Sequence, residues 1–284
     1  MKCAWDSFLQ LLPQDLRVTV DKLGRDSLQE LRLRLGGLPI LITSRGNRII
    51  DRTVSAGDLQ HIVNAASRYS PWAAETICEG YVTADGGHRI GLCGSVAIHS
   101  DCKRGYRSIT SLCMRVARDF PGIARNAVDI YTNTLILGPP GSGKTTLLRD
   151  LVRQLSVRGM GSIVVVDERC EVFPMTAGNY SFERGMHTDV ISGCGKKHGV
   201  ELAIRTMGAA WVAVDEISSE EDCEAIYKAG WCGVPILATA HADGLEDFLK
   251  RPVYKPLVAN KVFDRFLVLQ KDKSWKEERL PVCT

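Results

Sequence analysis

The chain has 284 residues, 45% hydrophobic and 24% charged, with a formal net charge of +3 at pH 7. That is the length and composition of a soluble globular protein with room for two cores, and it excludes a disordered or low-complexity chain. No apolar run approaches the ~18–20 residues that cross a bilayer, which excludes a membrane-spanning helix and leaves only peripheral membrane contact.

The charge is uneven. Residues 1–126 carry 17 Lys and Arg against 12 Asp and Glu, a balance of +5, and the remainder carries 19 against 21, a balance of −2. An Arg-rich face of this kind meets phosphates, acidic lipids or an acidic partner, or is a solvated surface with internal ion pairs. The first residues, "MKCAWDSFLQLLPQDL", carry Asp6 and Asp15 and lack a long apolar centre, so they do not read as a signal peptide. The ten cysteines contain no Cys-x-x-Cys pair, which argues against a zinc ribbon and for reduced thiols in the cytosol. Cys194 and His198 are two ligand types on a glycine loop and read as no more than a loop.

In chain order, residues 1–35 begin as helical pieces broken at Pro13. In "LRLRL" the alternation puts Leu31, Leu33 and Leu35 on one face of a half-buried strand, with Arg32 and Arg34 on the other. Gly36-Gly37 and Arg45-Gly46-Asn47 are turns. Residues 56–69 have the spacing of a helix, and "GYVTADGGHRIGLCGSVAI" that of a hairpin about Asp85-Gly86-Gly87. These make residues 1–126 a small α+β domain. Residues 127–284 then alternate: strand 131–137, helix 144–156, strand 162–167, a long loop, helix 199–208, strand 210–215, helix 219–229, strand 234–240, helix 243–250, and a last strand, 263–269, closing an edge. Nearly continuous apolar strands alternating with helices predict a parallel sheet covered on both faces, an α/β domain of RecA-like type. The final stretch, "KDKSWKEERLPVCT", carries no recognisable motif.

The strongest motif is "GPPGSGKTT", Gly138, Pro139, Pro140, Gly141, Ser142, Gly143, Lys144, Thr145 and Thr146, placed after a strand and before a helix. It fits the phosphate-binding loop G-x-x-x-x-G-K-[ST]. Glycines let backbone N–H groups turn toward phosphate oxygens, and the helix N-terminus adds unpaired donors and a positive dipole end. Lys144 would reach the outer phosphates and the Thr145 hydroxyl would coordinate Mg²⁺, so ATP and Mg²⁺ are the implied ligands.

Two apolar runs end in Asp-Glu: "IVVVDERCE" at 163–171 and "WVAVDEIS" at 211–218. In RecA-like ATPases one strand separates the P-loop strand from the magnesium strand, and the strand after the P-loop helix flanks that pair. By this analogy Asp215 holds magnesium through water and Glu216 polarises the attacking water, while Asp167 sits on the flanking strand.

"LRLRLGGLPI", "GYVTADGGHRIGLCG", "GPPGSGKTTLLRDLVR", "VVDERCE", "HTDVISGC", "AIRTMGAAWVAVDEI" and "ATAHA" together resemble the stage III sporulation AA family of endospore-forming bacteria over nearly the whole chain. That family is similar to the ATPases of type II and type IV secretion and pilus motors. The resemblance implies a cytoplasmic, membrane-peripheral motor assembled as a homo-oligomeric ring, a hexamer, on the cytoplasmic face of the channel complex between mother cell and forespore. It implies an acidic box at Glu168 and Glu171, so the base role lies with Glu216 or Glu168. It further implies a histidine-box sensor at His241 and a charge-stabilising Arg205. Arg89, Arg104, Arg107 and Arg115 are equal candidates for action between subunits. Two other readings stay open: a P-loop ATPase stimulated by nucleic acid, which the paucity of aromatics (7%) argues against, and an ATP-gated scaffold of a membrane complex.

Overall fold

The computed structural model describes residues 1–68, 76–98, 104–127, 132–176, 178–270 and 272–280. Its contacts cluster into two units, one of Met1–Asp119 with Pro174–Phe182, the other of Phe120–Phe173 with Glu183–Thr284.

The first unit opens with α1 (Trp5–Gln10) and α2 (Gln14–Asp21), separated at Pro13 as the sequence implies. Six strands follow: β1 (Leu28–Arg34), β2 (Ile40–Thr43), β3 (Gly46–Ile49), β4 (Tyr81–Ala84), β5 (His88–Ile98) and β6 (Arg104–Arg115). Between β3 and β4 lies α3 (Ala56–Ser67), started by a reciprocal cap in which the Ser55 hydroxyl accepts from the Asp58 amide and the Asp58 carboxylate accepts from the Ser55 amide. The sheet is antiparallel, in the order β3-β2-β1-β6-β5-β4. Its alternation is as expected at Leu31 and Leu33, which are fully buried with Phe8, Leu12, Leu16 and Ile62. Leu35 departs from it and is 48% exposed. The strand stops at Arg34, where the Gly37 amide closes a turn onto the Arg34 carbonyl and Gly36 takes φ +75°. The β4–β5 turn falls at Asp85–Gly87.

The second unit starts its sheet with β7 (Thr134–Gly138), α4 (Lys144–Val157) and β8 (Ile163–Asp167). The chain then forms a small hairpin, β9 (Met175–Thr176) with β10 (Asn179–Tyr180), which clusters with the first unit. It returns as β11 (Thr188–Ser192), α5 (Lys196–Arg205), β12 (Trp211–Ile217), α6 (Glu220–Trp231), β13 (Ile236–His241), α7 (Leu245–Lys250), α8 (Lys255–Ala259), β14 (Arg265–Leu269) and β15 (Trp275–Arg279). The sheet order is β11-β8-β12-β13-β7-β14-β15, parallel except for β15. Strands β7, β8 and β14 are buried along their whole length, as helices on both faces require.

Two expectations change here. The long loop after β8 contains β11, a short, partly exposed strand on the sheet edge whose mixed pattern gave no strand signal. The strand expected to close an edge, β14, is internal. It pairs with β7 in parallel, and β15, from the stretch without a motif, closes that side antiparallel to it.

Candidate active site

The site forms at the carboxyl ends of β7, β13, β12 and β8, where an open parallel sheet presents its ligand crevice. Strand β7 ends at Gly138 and α4 starts at Lys144, so the phosphate-loop motif spans the turn between them. Gly141 and Gly143 take φ +74° and +104°, in the left-handed region that favours glycine. A Cβ on Gly138 would lie 2.6 Å from Ser142 Oγ, so the loop closes only because that position has none. The helix has no side-chain cap and no acidic residue in its first turn, which leaves its leading amides to a ligand. Ser142 Oγ is buried without a hydrogen-bond partner. These features fit a phosphate group.

Lys144 is buried, and burial pushes its ammonium below its usual range against the pull of Glu216 and Asp215. It donates to the carbonyls of Gly138 (2.9 Å) and Pro139 (3.0 Å) and to His241 Nδ1 (2.8 Å). Because Nδ1 accepts, the imidazole carries its proton on Nε2, which lies 3.1 Å from Glu216 Oε2. Lys144, His241 and Glu216 thus form one chain of contacts.

Glu216 and Asp215 reach the same crevice through a local irregularity. Adjacent strand residues normally point to opposite faces. Here Val214 pairs with Ala238 and Ile217 with Ala240, so Asp215 and Glu216 together oppose the single residue Thr239. This is a β-bulge, the device that re-aims side chains beside active sites, and Glu216 takes φ +22° within it. The fully buried Thr239 hydroxyl donates to Asp215 Oδ1 (3.1 Å) and accepts from the Glu216 amide (3.0 Å). Both Asp215 oxygens lie 3.3 Å from Thr145 Oγ1. Burial raises the Asp215 carboxyl, opposed by hydrogen bonds from the Glu216 amide and Thr239. Thr145 and Asp215 are hard oxygen donors, which suits Mg²⁺, an ion that takes one or two protein oxygens and completes its shell with water and phosphate. Among the described residues no group of three or more His, Cys, Asp or Glu forms a metal cage, Cys194 and His198 included.

The first Asp-Glu run is one strand further out, on β8. Asp167 is buried and its oxygens accept from the amides of Glu171 (2.7 Å), Val172 (3.0 Å) and Phe173 (2.8 Å). Burial lifts it to about 6. From the P-loop helix, Arg149 donates to the carbonyls of Val172 and Glu171, so Asp167 and Arg149 pin the segment leaving β8 from both sides. Glu168 and Glu171 border a cavity of about 490 Å³ that Asp215 and Glu216 also line. Glu168 is ion-paired with Lys196 at 2.5 Å, and Lys196 also lies 3.8 Å from Asp222.

Lys144, Thr145, Asp215, Glu216 and His241 come together, and Glu168 shares their cavity. Arg205 does not line it; it is 76% exposed at the end of α5, paired with Glu201 (2.9 Å). Of the N-terminal arginines, Arg89 lies over the Tyr81 ring (4.1 Å) and Arg115 is 3.6 Å from Glu30; the Arg104 side chain lies outside the described residues. His187 and Asp189 serve the sheet edge, where the His187 amide bonds Ser156 Oγ and Asp189 pairs with Val164. A second cavity, about 440 Å³, flanks the other side of the loop motif. Ser142, Gly143 and Thr146 meet the apolar Phe120, Ile123 and Trp275 there. Sequence reasoning missed Thr239, Lys196 and Trp275. Thr239 had a signal, since it stands two residues before His241 in "ATAHA"; the other two had none.

Residues 5–279 match the family described as sporulation stage III, protein AA. The chain is 34% identical over 279 residues to stage III sporulation protein AA of Bacillus subtilis (strain 168), covering 93% of this chain and 90% of that one. Among solved structures it resembles the Legionella pneumophila ATPase DotB, with a TM-score of 0.56 at 16% identity, covering 89% of this chain and 76% of that one. It resembles the pilus retraction motor PilT with bound ADP equally, with a TM-score of 0.56 at 13% identity and the same coverage, 89% and 76%. At such identities the likeness is one of fold, and it is the RecA-like α/β fold expected from the strand and helix pattern.

Proposed function

The chain belongs to the sporulation stage III, protein AA family, and on that premise we propose that it is a Mg²⁺-dependent ATPase, a secretion-type motor for the mother cell–forespore channel complex. The observation that carries this reading is the contact set at the P-loop: Thr145 to Asp215, and Lys144 through His241 to Glu216. Thr145 and Asp215 would hold the magnesium. When bound, that ion supplies charge neutralisation at the phosphates. In binding ATP, Lys144 exchanges its carbonyl and imidazole partners for phosphate oxygens. The leading amides of α4 hold the phosphate chain, and the apolar cavity beside Ser142 takes the base against Phe120 and Trp275. Glu216 orients the attacking water. Released from Lys144, His241 reports the presence of the outer phosphate to Glu216.

Glu216 is favoured over Glu168 as the base. The Glu168 carboxylate is already occupied by the ammonium of Lys196, whereas Glu216 stands at the end of the contact chain that runs from Lys144 through His241. Arg205 would act only on a neighbouring subunit. The N-terminal α+β domain would move against the motor domain in a hexameric ring at the cytoplasmic face of the membrane. Among the described residues no helix is long and apolar enough to cross a bilayer.

The test is a pair of variants. Glu216→Gln should keep ATP binding and lose turnover by about 10²–10⁴-fold, and Glu168→Gln should keep most of it. The reverse outcome moves the base to Glu168, and full activity in both removes the catalytic reading.

A further inference from the structure

The middle strand of the site carries a residue with no part in the mechanism above. Thr239 lies on β13, between the P-loop strand β7 and the Asp-Glu strand β12. Its side chain is fully buried, and it is the one residue that the two-residue bulge of β12 faces.

Three donor–acceptor contacts meet there. The Thr239 hydroxyl hydrogen goes to Asp215 Oδ1 (3.1 Å), and its oxygen accepts the Glu216 amide hydrogen (3.0 Å). The same amide also reaches Asp215 Oδ1 (3.0 Å). Besides the contact to Thr145 that both oxygens share, Oδ1 therefore receives two donors and, among the described residues, Oδ2 receives none. A residue larger than glycine at φ +22° is strained and persists only where its surroundings over-determine it. At Glu216 the hydroxyl of Thr239 supplies that constraint by occupying its amide.

We propose that Thr239 is a positioning residue for this reaction: its hydroxyl locks the bulge so that Asp215 turns Oδ2 to the metal position while Glu216 stays in the crevice. This rests on the ATPase reading of the site. Thr239 acts through its bonds to Asp215 and to the Glu216 amide, not as a ligand itself. Serine retains the function, and valine, which matches its shape and lacks the hydroxyl, abolishes it.

A structural control exists in the same place. The buried Tyr254 hydroxyl lies 3.2 Å from the Ile217 carbonyl and 3.5 Å from the His241 carbonyl, so it ties the same two strand ends together without touching Asp215 or Glu216. Tyr254→Phe therefore loosens the strand pair and leaves the carboxylates alone.

The experiment measures Mn²⁺ binding by electron paramagnetic resonance in the full-length protein with a non-hydrolysable ATP analogue, alongside analogue binding without metal. Thr239→Val should weaken Mn²⁺ by about 10–100-fold, the range for lost outer-sphere support of a metal ligand. Metal-free analogue binding should stay within about twofold, Thr239→Ser should restore Mn²⁺ affinity, and Tyr254→Phe should leave it unchanged. Equal Mn²⁺ affinity in wild type and Thr239→Val overturns the proposal, as does an equal loss in Tyr254→Phe. Should valine prevent folding, Thr239→Ala asks the same question; loss of folding in both, with serine normal, makes the hydroxyl a strand clamp and also overturns it. If wild-type protein binds neither analogue nor Mn²⁺, it is the ATPase reading that fails.

Discussion

Lowering the pH should destabilise the N-terminal unit through one imidazole, His88, the first residue of β5. It is fully buried, edge-on to the Phe8 ring at 5.2 Å. The Ala117 amide donates to Nδ1 (3.1 Å), so Nε2 carries the proton and donates to the Ala4 carbonyl (2.9 Å). A second proton would displace the Ala117 amide and bury a charge. Burial, opposed by the Ala4 carbonyl and aided by Arg118, accordingly lowers the imidazole from 6.5 to about 4. Between those values the unfolded chain holds a proton that the folded chain refuses, so stability falls as pH drops from 6.5 to 4 and is unaffected by this group above 6.5. A drop from 6.5 to about 4 is worth about 3 kcal/mol, a large part of the ~5–15 kcal/mol of a typical domain. The assay is urea unfolding from pH 7.5 to 4 for wild type and His88→Gln. The variant should be less stable at pH 7.5 by about 1–3 kcal/mol and should lack the additional acid sensitivity. Parallel pH curves for the two proteins, or a folded-state imidazole that titrates near 6.5 by NMR, would refute the reasoning.

Two further outcomes test the second unit. Asp150, fully buried on α4, accepts from the amides of Gly122 (2.9 Å) and Ala124 (2.8 Å) and from Arg153 (2.7 Å); Asp150→Ala breaks this buried ion pair and removes the acceptor of both amides, and should cost about 3–5 kcal/mol in urea unfolding, and a cost below about 1 kcal/mol would show that the segment holds without it. Trp275 lines the apolar cavity beside the P-loop; nucleotide should quench its fluorescence, and Trp275→Ala should weaken nucleotide binding by about 1–3 kcal/mol, the worth of a base–aromatic stack, whereas unchanged affinity by calorimetry would put the base elsewhere.

The N-terminal sheet and the site differ in how far the sequence discloses them. Alternation in "LRLRL" buries Leu31 and Leu33 and exposes Arg32 and Arg34 because a strand has period two. It placed Leu35 on the same face, wrongly, because the fate of Leu35 depends on where the strand turns. The hairpin pattern assigned no role to His88, and only the packing of α1 over it explains its burial. Likewise β15 and Trp275 lacked a pattern because an exposed edge strand needs no apolar face. Thr239 sat in view in "ATAHA", but its use depends on a strand 24 residues away in sequence, Asp215 being its partner.

By itself the sequence determined whatever is local: the glycine turn before Lys144, the apolar strands, the Asp-Glu runs and the order in which they occur. Backbone conformational freedom and hydrophobic periodicity act over a few residues, and so are written in a few residues. The tertiary structure decided which Asp-Glu run stands beside the P-loop. Sheet order leaves one strand, β13, between β12 and β7 and two, β12 and β13, between β8 and β7, and the bulge opposite Thr239 turns two neighbouring carboxylates into one crevice. Strand order and bulge register arise from hydrogen bonds between segments far apart in the chain, and no short stretch of residues encodes them.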